Sequence, residues 1–196
     1  QFLNDFDQAI VFFKKALEED SENEAALYEL AYCFDVNNYN EEGIDFLMNY
    51  LEKEPYSDAA WFNLGNLYSK INKVEEAIDA FDFVLAINPS FAAAYFSKGN
   101  LLAHLEKHEE AIEVYKETFE LEAPGGVVYC YIAECYEKLQ QFELSLEFYN
   151  KVISIDPEFG DSWLGKAICL DELGRTKDAY NCIQKALDID KENADY

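Results

Sequence analysis

The chain has 196 residues, half of them hydrophobic and 16% aromatic, ample for a continuous core. It carries 40 acids against 15 bases, a formal net charge of −25. Such a surface repels phosphate backbones and anionic membranes, so nucleic-acid binding is excluded as a reading; basic partners or plain solubility remain. No run of about 18 apolar residues suggests a membrane span.

Pro55 and Pro89 are 34 residues apart, and Pro157 follows after 68, twice that interval. Gly65, Gly99, Ala133 and Ala167 keep the same spacing. A period of this length predicts an array of helix–turn–helix units rather than a catalytic domain with one core. In chain order, residues 1–23 are a partial repeat, with Ala9, Phe13 and Ala16 at positions 20, 24 and 27 of a second helix. Residues 24–57 set Leu27, Leu30, Ala31 and Phe34 on one helix (positions 4, 7, 8 and 11), then Gly43 and Leu47 (positions 20 and 24) on the next. Residues 58–91 repeat this with Trp61, Leu64, Gly65, Tyr68, Ala77 and Phe81. Residues 92–125 give Tyr95, Lys98, Gly99, Leu102, Ala111 and Tyr115, and residues 126–159 give Tyr129, Ile132, Ala133, Tyr136, Ser145 and Tyr149. Residues 160–193 give Trp163, Lys166, Ala167, Leu170, Ala179 and Ile183, and residues 194–196 read as the stub of a further repeat. Both ends cut the pattern, so the chain is expected to be an excerpt of a longer array.

The stretch from Trp61 through Leu64 and Gly65 to Tyr68, followed by Ala77, Phe81 and Pro89, resembles the tetratricopeptide repeat. That family's pattern is W-x2-L-G-x2-Y, then A-x3-F, then P. The resemblance covers essentially the whole chain. It implies an all-α, right-handed superhelix (an α-solenoid) built as one array over residues 1–196. It also implies a scaffold for protein–protein interaction that is not an enzyme and needs no cofactor.

Small residues at positions 8 and 20 let paired helices approach, and large ones at 4, 11 and 24 fill the space between them. Trp61 and Trp163, both at position 4, are therefore expected to be buried. Position 15 must end the first helix with a left-handed residue; it holds Asn4, Asn38, Asn72, Glu106, Gln140 and Gly174. Asn and Gly suit that conformation, whereas Glu106 and Gln140 predict strain or an altered turn. Ala123-Pro124-Gly125-Gly126 breaks the pattern and reads either as a bend or as a slightly longer turn.

The five cysteines are odd in number and lack C-x-x-C spacing, so they read as buried thiols of a reducing, cytoplasmic compartment. His104 and His108 flank the turn at Glu106 and do not share a helical face, so no metal site is expected. No nucleophile with its base is visible; Cys130 is the one candidate, and a structural thiol is the plainer reading. In the resemblance, positions 2, 5, 9, 12 and 13 of each first helix line the concave groove. The residues there include Tyr28, Tyr32, Phe62, Asn66, Phe96 and Asn100, then Cys130, Glu134, Glu137 and Asp161. Aromatic rings offer apolar contact, and carboxamides both donate to and accept from a peptide backbone. The expected ligand is a protein or peptide segment with apolar and basic features. Some family members clamp a C-terminal carboxylate here, but this groove has few lysines. Two other readings stay open: a regulatory arm of an enzyme whose catalytic domain lies outside the chain, and a self-associating array.

Overall fold

The computed structural model describes residues 2–21, 23–121 and 125–189, with side chains from residue 6 onward. The stub at 194–196 lies outside the described residues, as do Ala123 and Pro124 of the expected bend. Eleven α-helices and no strand occur among the described residues. They are α1 (Phe2–Glu19), α2 (Glu24–Val36), α3 (Asn40–Leu51), α4 (Asp58–Lys70), α5 (Val74–Ile87) and α6 (Ala92–His104). Then come α7 (His108–Glu117), α8 (Gly126–Lys138), α9 (Phe142–Ile155), α10 (Gly160–Glu172) and α11 (Thr176–Ile189), with a 3-10 turn at Thr118–Glu120. The fold is an all-α solenoid of helix pairs. Packing divides it into two compact units, residues 1–101 and 102–196.

Local chemistry starts the helices. The Asn23 side chain accepts from the Ala26 N–H at 2.9 Å and the Ser57 hydroxyl from the Ala60 N–H at 3.2 Å. Three second helices, α3, α5 and α7, instead carry paired acids in the first turn: Glu41 and Glu42, Glu75 and Glu76, Glu109 and Glu110. Negative charge there complements the helix dipole.

First helices end in one motif. Asn38, Asn72, Glu106, Gln140 and Gly174 all have φ between 56° and 73°. In each case the next N–H reaches back to the carbonyl of position 11: Tyr39 to Phe34, Lys73 to Tyr68, Lys107 to Leu102, Gln141 to Tyr136, Arg175 to Leu170, at 2.8–2.9 Å. The position-15 N–H bonds to position 12, as from Gln140 to Glu137 at 2.9 Å. This pair of bonds is the Schellman arrangement. Glu106 and Gln140 do not alter the turn; they adopt the left-handed conformation despite their side chains. Asn4 departs from expectation, because it lies inside α1.

In residues 1–101, Leu27, Leu30, Phe34, Leu47, Leu64, Phe81 and Val84 are essentially inaccessible to solvent. The small residues are required: a Cβ on Gly65 would lie 2.7 Å from the Phe81 ring, and one on Gly43 2.7 Å from Leu67 Cδ1. In residues 102–196, Tyr115, Ile132, Ala133 and Val152 play the same part. Ser145, buried at position 20, donates to the Ala133 carbonyl at 2.8 Å and accepts from the Cys169 thiol at 3.2 Å. All five cysteines are buried and unpaired.

The tryptophans overturn one expectation, being half-buried rather than enclosed. Each indole N–H donates to a proline carbonyl of the preceding repeat, Trp61 to Pro55 at 3.0 Å and Trp163 to Pro157 at 2.9 Å. An indole buried in the apolar stripe would leave that donor unpaired, so the ring stays at the edge. Trp61 also stacks on Phe83, with ring centroids 4.3 Å apart. Lys98 and Lys166, at the otherwise apolar position 7, lay their stems on the core and extend their ammonium groups outward. Lys98 pairs with Asp82 at 2.5 Å, and Lys166 donates to Asn150 Oδ1 at 2.7 Å.

Left-handed residues with a Cβ cost roughly 1–2 kcal/mol. Gln140→Gly and Glu106→Gly should therefore raise stability, by up to about 1 kcal/mol after the entropy of glycine is subtracted. Gly174→Gln should lower it by a similar amount. Urea denaturation of the three variants checks the expectation.

Candidate peptide-binding faces

Within residues 1–101, α2 and α4 bring Tyr28, Tyr32, Phe62 and Asn66 to one open pocket of about 270 Å³. Its floor is Ala31 and Leu67, with buried Asn63 held by a bond from its amide to the Ala59 carbonyl at 2.8 Å. Its rim carries an ion pair between Asp35 and Lys70, 3.2 Å apart. Tyr32 is 58% exposed, whereas Phe62 is half-buried and packs on Phe81 and Phe91 at centroid distances of 5.7 and 4.9 Å. Phe62 thus serves both pocket and packing. Burial, then the negative charges of Asp58 and Glu24, raise the pKa of the Tyr28 hydroxyl, so it stays a neutral donor at physiological pH. Phe96 and Asn100 sit one repeat further on, half-buried on α6, and do not wall this pocket.

Within residues 102–196, the corresponding positions of α8 and α10 are acidic. Cys130 is buried, and its thiol donates to Glu134 Oε1 at 3.5 Å. Desolvation, then the Glu134 charge, push this thiol up to about 12, so it is neither thiolate nor nucleophile at neutral pH. Glu137 accepts from the Tyr149 hydroxyl at 3.1 Å. Asp161 is exposed in the first turn of α10. Glu134 reaches the surface, yet its carboxyl is poorly hydrated over Cys130; that burial raises its pKa, and Glu137 and Asp161 add to the rise.

Of the expected residues, Tyr28, Tyr32, Phe62 and Asn66 line this pocket, while Asn63 and Tyr149 are not marked by the register. Asn63 stands at position 6, where no pattern marks it. Tyr149 looks like core at position 24, and its ring occupies the space left by Gly165, where a Cβ would fall 2.2 Å from the ring. The signal was available: a glycine beside a tyrosine-bearing repeat invites the ring into the gap. Among the described residues, no group of three metal-ligating side chains converges, and no helix is long and apolar enough to cross a membrane.

Stacked helix pairs with open first-helix faces define a helical-repeat interaction scaffold. Two tetratricopeptide repeat models match the sequence, one over residues 59–91 and 127–159, the other over 1–23, 92–123 and 160–193. The chain belongs to the tetratricopeptide repeat family. Residues 24–57 fall between the matches, yet α2 and α3 share the same turn geometry at Asn38. No curated protein sequence matches significantly. Among solved structures, MamA is similar with a TM-score of 0.79 at 19% identity, over 90% of this chain and 96% of that one. YrrB, described as "a TPR protein with an unusual peptide-binding site", has a TM-score of 0.77 at 22% identity, over 92% and 93%. A tetratricopeptide repeat protein from Parabacteroides merdae ATCC 43184 has 0.74 at 19%, over 94% and 73%. At these identities the likeness is one of fold.

The raised pKa of Glu134 carries a pH dependence. Its folded pKa lies above the unfolded one, so the folded state takes up a proton as pH falls into that window. Its ionised form therefore opposes folding at neutral pH, and the penalty disappears on acidification. Glu134→Gln should raise the urea midpoint at neutral pH and leave it unchanged below the ordinary carboxylate range, where the carboxyl is protonated in both states.

Proposed function

We propose that this chain holds an extended or helical segment of a partner protein against the first-helix faces of its repeats, with no catalytic chemistry of its own. The observation that carries the reading is the pocket of Tyr28, Tyr32, Phe62 and Asn66, where aromatic surface remains open to solvent beside a carboxamide. A partner's apolar side chain gains by covering such rings, and Asn66 can both donate to and accept from its backbone. Phe96 and Asn100 repeat that chemistry on α6. In residues 102–196, burial and then the charges of Glu137 and Asp161 raise the Glu134 pKa, and a basic side chain would favour its ionised form. The partner thus offers apolar groups to the face within residues 1–101 and basic groups to the face within residues 102–196. YrrB, a protein of the same fold described as having an unusual peptide-binding site, supports the same mode of action. A cytoplasmic location belongs to this proposal, since five buried, unpaired thiols suit a reducing compartment. A net charge of −25 opposes self-association.

Phe62 supports packing as well as the pocket, so Tyr32 and Asn66 are the better probes. Peptides selected from a displayed library against the chain should be rich in large apolar and basic residues. Tyr32→Ala with Asn66→Ala should weaken their binding by roughly tenfold or more, about 1.4 kcal/mol per decade, with little change in melting temperature. Glu134→Lys with Glu137→Lys should mainly slow association and flatten its salt dependence. Unchanged affinity in the Tyr32/Asn66 variant would refute the assignment of the pocket.

A further inference from the structure

A second pocket lies within residues 102–196, away from the first-helix stripe, between α9, α10 and α11. It has a volume of about 340 Å³ and is lined by Asn150, Lys166, Arg175, Asp178, Asn181 and Cys182, among others. Two cations and one acid meet there, in a chain whose acids outnumber its bases by 40 to 15. Arg175 gives two of its N–H groups to Asp178 Oδ2, at 3.1 and 2.8 Å, which leaves three guanidinium N–H groups for other acceptors. Lys166 Nζ bonds to a neutral amide, Asn150 Oδ1, and has no ion-pair partner among the described residues.

The repeat itself supplies a control. Sixty-eight residues earlier, Lys98 takes the place of Lys166 and Asp82 takes the place of Asn150, and the two close as an ion pair at 2.5 Å. There the cation is neutralised from within. At Lys166 the acid has become an amide, which keeps the hydrogen bond and removes the charge. Position 22 shows the same exchange: Asp45, Asp79, Glu113 and Glu147 in the earlier full repeats, Asn181 in the last. Two acids are thus replaced by amides around one half-buried lysine, and each amide brings N–H donors. The pocket also adjoins the start of α11, where the helix dipole favours negative charge.

We propose that this pocket binds a single carboxylate presented by a partner protein. The carboxylate takes the place that Asp82 fills beside Lys98, with Lys166 and Arg175 as its cations and the Asn150 and Asn181 amides as donors. Two cations set against Asp178 match one negative charge, and the acidic remainder of the surface opposes a dianion such as phosphate. The source is either an acidic side chain or a chain end, and the experiment separates them.

The test is a proton–nitrogen NMR titration of the 196-residue chain at constant ionic strength, read at the side-chain signals of Asn150, Asn181 and Arg175. The probes are N-acetylglutamate α-amide (a side-chain carboxylate), N-acetylalanine (a chain-end carboxylate) and inorganic phosphate. Saturable shifts with a carboxylate are expected, and the stronger of the two probes identifies the source. Asn150→Asp installs the internal anion already seen beside Lys98 and should weaken binding roughly tenfold or more; Lys166→Gln should do the same by removing the cation. Melting curves confirm that each variant is folded, and either folded variant suffices. The proposal is overturned by unsaturable shifts, by phosphate binding more tightly than both carboxylates, or by a folded variant that binds as the wild type does.

Discussion

The structure depends on one local constraint, the reversal of the chain at position 15. A first helix can hand over to its second only if one residue turns left-handed and the last carbonyls are bonded on the way out. Asn38, Asn72, Glu106, Gln140 and Gly174 all do this, with nearly identical bonds. The turn fixes how the second helix returns, and so brings position 8 against position 24. Gly65 then has to be glycine because Phe81 is already there. The conformational cost at Glu106 and Gln140 is borne because the packing on both sides leaves the backbone no other route.

Once the pairs are fixed, the first-helix face within residues 1–101 and that within residues 102–196 differ in charge, the one aromatic and the other acidic. Much of the acidity is structural, since the acid pairs opening α3, α5 and α7 lie where helix dipoles favour them. A net charge of −25 is therefore not in itself a sign of a basic ligand. The acids that matter are those held where they are costly, such as Glu134 over buried Cys130. By the same reasoning, the places where acids are missing carry information. Asn150 stands where the Lys98 pair has Asp82, and Asn181 where the earlier full repeats have Asp or Glu, so Lys166 meets the Asn150 amide and the Trp163 ring and no carboxylate among the described residues.

The half-buried tryptophans show how a family pattern can be read too simply. Position 4 repeats with the core stripe, and its largest side chains are aromatic. The indole nevertheless brings a donor, and the donor finds the carbonyl of the proline at position 32 of the repeat before. The two most recognisable residues of the pattern are thus partners, and their bond ties one repeat to the next.

The sequence by itself determined the all-α class, the helix pairs and the left-handed turn residues from Asn38 to Gly174. These follow from a period of 34 and from local conformational preference, both properties of the chain read in order. The tertiary structure alone decided the rest. Phe62 divides between pocket and packing because Phe81 and Phe91 lie within reach of its ring. Tyr149 stays buried in the core and still reaches Glu137 with its hydroxyl because Gly165 yields its ring space. Lys166 meets an amide where Lys98 meets an acid because residues sixteen apart become neighbours only when helices stack. Periodicity tells which residues share a face; which of them touch, and which charges are left uncompensated, depends on distances that exist only after folding.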